Sequence, residues 1–116
     1  MADSLDALKQ RLQAFAAARD WQPFHSPKNL ASALIVEAGE LLEHFQWLTE
    51  EQSRRLDDTQ RQAVAAEMAD VLLYLVQLAA SLQVDLVDAA QRKIEVNEHR
   101  YPADKARGRS TRHGAL

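Results

Sequence analysis

Two pairs of carboxylates lie inside segments that are otherwise typical of apolar helices. Glu37 and Glu40 are three residues apart in one segment, and Glu67 and Asp70 are three apart in another. Residues at this spacing lie on one face of an α-helix. Leucine, valine and alanine recur around each pair at helical intervals, so the acids fall within the apolar stripe. The chain must therefore fold so that two helices bring four carboxylates into a packed interface.

Four like charges in a packed interface need compensation, because an unpaired buried carboxylate is costly. Either their pKa values rise or a cation binds among them. No matching set of basic residues lies on these faces, and all-oxygen ligands suit Mg²⁺ or Mn²⁺. A single pair of acids usually belongs to a solvated helix face. Two pairs in apolar stripes instead favour a metal site, with these ligands: Glu37, Glu40, Glu67 and Asp70.

The composition fits one compact domain of 116 residues, 47% of them hydrophobic. The sequence has no cysteine, which excludes a disulfide framework, a thiol nucleophile and a zinc–thiolate site. Its net charge of -3 disfavours binding to a nucleic acid polymer. The N-terminus lacks the features of a signal peptide, and no segment is expected to span a membrane. We therefore expect a cytoplasmic protein without a membrane partner.

The hydrophobic periodicity predicts an all-α fold with four main helices and no strand. The predicted helices cover residues 4–19, 27–48, 59–82 and 86–99, with N-caps at Ser4, Ser26, Thr59 and Asp85. Residues 49–58 are predicted to form a turn or a short helix. The third helix is apolar almost all round between residues 71 and 80, so it must be buried on two sides. Because so short a chain has few elements to cover both sides, we expect self-association.

Four blocks of the sequence resemble, in order, the all-α nucleoside triphosphate pyrophosphohydrolases. The blocks are Trp21-Gln-Pro-Phe-His-Ser-Pro-Lys-Asn-Leu30, Val36-Glu-Ala-Gly-Glu-Leu-Leu-Glu-His-Phe-Gln-Trp47, Glu67-Met-Ala-Asp-Val-Leu-Leu-Tyr-Leu75, and Lys93-Ile-Glu-Val-Asn97 with Arg100-Tyr-Pro102. Within these enzymes the chain is most similar to the MazG-like dCTP pyrophosphatase branch. The family pattern is Glu-Glu-x-x-Glu followed by Glu-x-x-Asp. Val36 stands where this pattern has its first glutamate. The dCTP pyrophosphatase branch also lacks an acid at this position.

The resemblance implies a four-helix MazG-like bundle assembled as a homo-oligomer, either a tetramer built as a dimer of dimers or a dimer. It places the pyrophosphohydrolase domain at residues 1–102 and leaves a basic, flexible tail at 103–116. The implied reaction is hydrolysis of a nucleoside triphosphate, dCTP or a modified dCTP, to the monophosphate and pyrophosphate. Mg²⁺ is the implied cofactor, with Mn²⁺ as a substitute.

The resemblance also implies roles for individual residues. Either Glu37 or Glu40 takes the proton of the attacking water, besides binding metal. The implied substrate contacts are Lys93, Asn97 and Arg100 for the phosphates, Tyr74 for the sugar or a phosphate, Trp21 and Trp47 for the base, and His25. Without the resemblance, the two tryptophans would be interpreted as core residues and the basic side chains as a solvated helix face.

Two other functions fit parts of the pattern. A di-iron carboxylate protein also places glutamates inside a helical bundle, but it needs Glu-x-x-His pairs. Here Glu40 is followed three residues later by Glu43, and Glu67 by Asp70. A non-enzymatic helical interaction or regulatory module would explain the apolar third helix. It would not explain four acids that face inward.

Overall fold

The structure, a computed structural model, describes residues 4–108 and is all-α. The helices are α1 (Leu5–Ala18), α2 (Pro27–Glu43), α3 (Glu50–Ser53), α4 (Asp58–Ser81), α5 (Leu86–Arg100) and α6 (Ala103–Ala106), with a 3-10 turn at Gln22–Phe24. No strand occurs within residues 4–108. The predicted fold class is therefore confirmed, and the four long helices lie where the periodicity places them.

Side-chain caps fix the starts of three long helices. The hydroxyls of Ser4 and Ser26 and the carboxylate of Asp85 each accept a hydrogen bond from the backbone N–H three residues later, at 3.0 to 3.1 Å. Such caps satisfy backbone donors that have no partner inside the helix. Pro27, at the first helical position, has no N–H to satisfy. These three predicted N-caps are confirmed.

The predicted cap of α4 is wrong. Asp57, not Thr59, caps this helix and forms a capping box with Gln60. The backbone N–H of Gln60 donates to Asp57 Oδ1 at 2.7 Å, and the backbone N–H of Asp57 donates to Gln60 Oε1 at 2.9 Å. This reciprocal pair satisfies two backbone donors at the start of the helix. Thr59 has the same spacing to Gln62, but it lies inside the first turn of the helix that Asp57 caps. The helix therefore begins at Asp58.

Helix α2 ends at Glu43, five residues before the predicted end. The backbone N–H groups of His44 and Phe45 donate to carbonyls three residues back, at 3.2 and 2.9 Å, which tightens the chain into turns. A second capping box, between Thr49 and Gln52, then starts α3. The short helix allowed for residues 49–58 is thus present, and the chain reverses direction before α4.

Helices α2 and α4 form an antiparallel pair, and α1 also packs on α4. Two contacts show how α2 and α4 are aligned. Glu37 lies near Glu67, and Leu30, two turns earlier on α2, lines the same cavity as Val76, later on α4. The buried apolar side chains are Ala16, Leu30, Val64, Val76 and Ala79. The antiparallel pair therefore brings the two acid motifs to the same level, as their apolar stripes predict.

The outer faces of α2 and α4 carry apolar side chains that stay exposed among residues 4–108. Ile35 and Leu42 are seven residues apart, on the side of α2 opposite Glu37, and are 69% and 61% exposed. Met68 and Leu72 lie about 100° and 140° around α4 from Glu67, and are 56% and 37% exposed. The α4 helix is thus covered on one side only, whereas its composition suits a helix buried on two.

Among the described helices, α4 also has a length and composition that suit a membrane span, with a mean hydropathy of 1.6 over 18 residues. This result differs from the expectation, drawn from the sequence, that no segment is long and apolar enough to span a membrane. Core helices of globular proteins have the same composition. Here two carboxylates, Glu67 and Asp70, interrupt the middle of the helix.

The chain divides into two compact units, one up to Gln83 and one from Val84 onward. Helices α5 and α6 belong to the second unit. The apolar side chains of Ile94 and Val96 on α5 are exposed. Helix α6 lies within the predicted tail, and the tail residues Arg109 and Arg112 lie outside the described residues.

Candidate functional site

Three of the predicted metal ligands converge between α2 and α4. One carboxylate oxygen from each of Glu37, Glu67 and Asp70 lies within 4.8 Å of the other two. Ligands on opposite sides of an octahedral Mg²⁺ are separated by about 4.2 Å, twice the metal–oxygen distance of about 2.1 Å. The separations are therefore suited to one shared ion after small side-chain adjustments.

Two oxygens of the cluster are buried without a partner. The Oε2 atoms of Glu37 and Glu67 are inaccessible to solvent and accept no hydrogen bond from the described residues. A buried carboxylate oxygen without a donor is destabilising. A divalent cation between the two helices would satisfy both oxygens at once. The residues present thus fit a hard divalent metal ion.

Glu37 holds a proton more strongly than an ordinary glutamate does. Its pKa is raised from 4.5 to about 7. The largest cause is hydrogen bonding with the Glu40 carboxyl, which requires that the pair retain a proton, and burial and the negative charges of Glu40 and Asp70 raise the pKa further. A carboxyl group with a pKa near neutrality can exchange a proton under ordinary conditions.

The fourth predicted ligand, Glu40, lies beside Glu37 and is half-buried, but it is outside the group of three converging acids. Asp70 belongs to that group and is exposed. The expectation that all four acids point into a packed interface is therefore wrong for Asp70. Because it sits at the edge of the α2–α4 pair, Asp70 gives the cluster a side that is open to solvent and to a substrate.

His44 borders the cluster from the end of α2. Its Nε2 atom is 3.9 Å from Glu67 Oε1. This distance is too long for a hydrogen bond. Since His44 is followed by the turn that ends α2, that turn brings an imidazole close to the α4 acids. The sequence does not predict this contact, because it depends on where α2 ends.

A cavity of about 230 Å³ lies about two helical turns from the acid cluster. It is formed between α1, the 3-10 turn, the start of α2 and the second half of α4. Its lining includes Lys9, Leu12, Gln13, Gln22, His25, Leu30, Val76, Gln77, Ala80 and Ser81. The predicted substrate residue His25 therefore lines a real cavity. The glutamines were not predicted, because isolated amides at helical positions resemble solvated residues.

Trp21 lies beside His25 and is 44% exposed. Its ring centroid is 6.4 Å from that of His25 and 5.6 Å from that of Phe15, in edge-to-face arrangements. Trp47, in the turn after α2, is 86% exposed. The structure thus brings Trp21 and His25 together, and this chain alone leaves Trp47 uncovered.

The remaining predicted residues lie on α4 and α5. Tyr74 is half-buried, one helical turn after Asp70. Lys93, Asn97 and Arg100 lie within two turns on exposed positions of α5, in the second compact unit. The spacing of these three residues along one helix is as predicted, and their part in binding substrate stays a prediction.

The fold and the cluster together define an all-α protein with an acidic site suited to a divalent metal. Comparison with known proteins gives the family. The model of the MazG-like family matches residues 33–116, and the chain belongs to this family.

Curated relatives and a solved structure agree with this assignment. Human dCTP pyrophosphatase 1 is 42% identical over 120 residues, which cover 97% of this chain and 71% of the human protein. The mouse protein of the same name is 42% identical over 115 residues, with 97% and 68% covered. A crystal structure of a pyrophosphatase from Archaeoglobus fulgidus has a TM-score of 0.80 at 36% identity, covering 84% of this chain and 92% of that one.

Proposed function

We propose that this protein is a nucleoside triphosphate pyrophosphohydrolase that uses Mg²⁺ to hydrolyse dCTP, or a modified dCTP, to the monophosphate and pyrophosphate. The observation that carries the proposal is the cluster of Glu37, Glu67 and Asp70, with two buried carboxylate oxygens that have no donor. The names of the mammalian relatives, dCTP pyrophosphatase 1, support the choice of substrate.

In this reaction water attacks the α phosphorus, the bond from that phosphorus to the bridging oxygen breaks, and pyrophosphate leaves. A bound Mg²⁺ neutralises charge on phosphoryl oxygens and lowers the pKa of a coordinated water. Glu37, Glu67, Asp70 and Glu40 are the residues that would hold it. We assign the proton of the attacking water to Glu37 or Glu40, which lie side by side in the cluster.

The cavity is well placed for the nucleobase. Gln77 on α4 follows Asp70 by seven residues, and Leu30 on α2 precedes Glu37 by seven, so the cavity and the cluster are about 10 Å apart along both helices. A deoxyribose and an α-phosphate span a similar length. We therefore place the base against Trp21 and His25, with the phosphates at the acids.

The remaining substrate groups are assigned to the residues implied by the family resemblance. Tyr74, one turn from Asp70, is assigned to the sugar or a phosphate. Lys93, Asn97 and Arg100 are assigned to the triphosphate, where cationic and amide donors match phosphoryl oxygens. Trp47 lies beyond Glu37 on the side away from the cavity, so we assign it to the base of a substrate bound by a second copy of the chain.

A second copy of this chain is the proposed partner for the outer faces of α2 and α4. Ile35, Leu42, Met68 and Leu72 are exposed there, and apolar surface of this kind is stabilised by association. A dimer or a dimer of dimers would bury α4 on its second side, as its composition requires. We place this oligomer in the cytoplasm, with no membrane contact.

The test is pyrophosphate release from a panel of common dNTPs and NTPs, with Mg²⁺ and with EDTA. Glu67→Gln removes one charge from the cluster at nearly constant volume. Glu43→Gln is the matched control, because Glu43 is exposed on α2 and lies outside the cluster. We expect Mg²⁺-dependent release, with dCTP or a close analogue preferred, that is lost in Glu67→Gln and kept in the control. Absence of turnover by folded wild-type protein would contradict the proposal.

A further inference from the structure

The amide of Gln77 has a fixed orientation at the cavity. Gln77 lies on α4 and is half-buried, and its side chain is part of the cavity lining. Its Nε2 donates a hydrogen bond to the carbonyl oxygen of Leu73 at 3.2 Å. This carbonyl lies one turn earlier on the same helix, so the anchor moves with the helix that carries the side chain.

The hydrogen bond determines which end of the amide is available to a ligand. If the amide were reversed, Oε1 would face the Leu73 carbonyl, and two acceptors would oppose each other without a proton between them. The nitrogen is therefore held by the backbone. The carbonyl oxygen Oε1 is the end with acceptor capacity for another group.

The cavity around Gln77 is suited to a flat heterocycle. Leu12, Leu30 and Val76 contribute apolar surface, while Gln13, Gln22 and His25 contribute polar groups. An apolar pocket with a few oriented polar groups is the usual form of a small-molecule site, in which the polar groups provide specificity. An oriented acceptor on such a wall distinguishes ligands that present a donor from ligands that present an acceptor.

We propose that Gln77 is a specificity-determining residue, which favours nucleotides with an amino group at C4 of a pyrimidine or C6 of a purine by accepting a hydrogen bond from that group through Oε1. The inference rests on the proposed function and on the cavity as the site of the base. Cytosine and adenine present an amino group at the relevant edge, whereas uracil, thymine and guanine present a carbonyl oxygen. That carbonyl would face Oε1 acceptor to acceptor, and both groups would lose their hydrogen bonds to water.

The anchor makes this discrimination stronger than a free glutamine could provide. A free amide can rotate by half a turn and offer its NH₂ group to a carbonyl. Gln77 would lose its bond to Leu73 if it rotated in this way. Gln77 thus discriminates bases with an amino group from bases with a carbonyl oxygen at this position. The size of the cavity independently discriminates pyrimidines from purines.

The direct test compares kcat/KM for dCTP and dUTP, which differ at the amino or oxo position of the ring. Gln77→Met keeps the length of the side chain and its tolerance for a helix, but removes the amide. We expect the dCTP to dUTP ratio to fall about three- to tenfold, the effect of one neutral hydrogen bond. Gln62→Ala is the control, because Gln62 is exposed on the same helix and lies outside the cavity. Its ratio is expected to match the wild type.

Binding of the product nucleotides tests the same residue without catalysis. By calorimetry, wild-type protein is expected to bind dCMP more tightly than dUMP, and Gln77→Met is expected to reduce this preference. If triphosphates are hydrolysed but neither preference changes in Gln77→Met, the role of Gln77 is refuted while the proposed function stands. If no triphosphate is hydrolysed, the proposed function fails, and equal binding of dCMP and dUMP by the wild type then also refutes the inference.

Discussion

Replacing Glu67 by glutamine should stabilise the metal-free protein and weaken its response to Mg²⁺. One oxygen each of Glu67 and Asp70 lie within 4.8 Å. Two unit charges at that separation repel by about 0.9 kcal/mol in a water-like dielectric and by about 3.5 kcal/mol at an effective dielectric constant of 20. Because Asp70 is exposed, the smaller value is the better guide. For a domain of this size it corresponds to a rise in Tm of about 4 °C.

The assay is thermal unfolding in EDTA and over a Mg²⁺ titration. Mg²⁺ at a hundred times its Kd stabilises a folded protein by about 2.7 kcal/mol, so wild-type Tm should rise by about 10 °C. In Glu67→Gln this rise should be much smaller, since one ligand is lost. Glu43→Gln should behave like the wild type. A wild-type Tm that does not respond to Mg²⁺ would refute the metal site, and the acids would then have a structural role only.

Three further predictions follow from the same structure. The pKa of Glu37 is raised from 4.5 to about 7, so the folded protein keeps a proton that the unfolded chain releases. The stability of the metal-free protein should therefore fall as pH rises from about 4.5 to 7. Glu37→Gln should flatten this pH dependence in thermal melts across that range. Replacing the exposed Ile35 by aspartate should lower the oligomeric state measured by light scattering, whereas the change of Ala14, an exposed residue of α1, to aspartate should not. His44→Leu should change Mg²⁺ affinity by about twofold at most in calorimetry, since His44 Nε2 is 3.9 Å from Glu67 Oε1, beyond hydrogen-bond distance; a loss of about tenfold would show that the imidazole orients Glu67.

The sequence predicted those parts of the fold that depend on local chemistry. Three of four N-caps were correct, because each has a short polar side chain directly before an apolar periodic segment. The fourth was missed because two positions carry the same local signal: Asp57 and Thr59 each have a glutamine three residues later, which is the capping-box spacing. The end of α2 was placed too late because Phe45, Trp47 and Leu48 continue the apolar pattern, with no glycine or proline to stop it.

The sequence predicts those parts of the site whose positions depend only on which face of a helix a residue occupies. The spacing of the acids was sufficient to place Glu37 and Glu67 opposite each other, since both lie in apolar stripes that must pack. It could not show that Asp70 is exposed, because this depends on how α2 and α4 are rotated about their axes relative to each other. The cavity at Gln77 was also beyond prediction, since it exists only where α1, the 3-10 turn and two long helices meet.

The unpartnered oxygens of Glu37 and Glu67 have a consequence for the lifetime of the protein. They lie between the two helices that form the centre of the first compact unit, so opening that helix pair hydrates both oxygens and relieves the repulsion between the acids. Without a divalent ion, opening therefore costs less free energy, and proteases cleave chains in proportion to the population of open forms. The abundance of the protein would then follow the supply of the ion, with metal-starved copies degraded first.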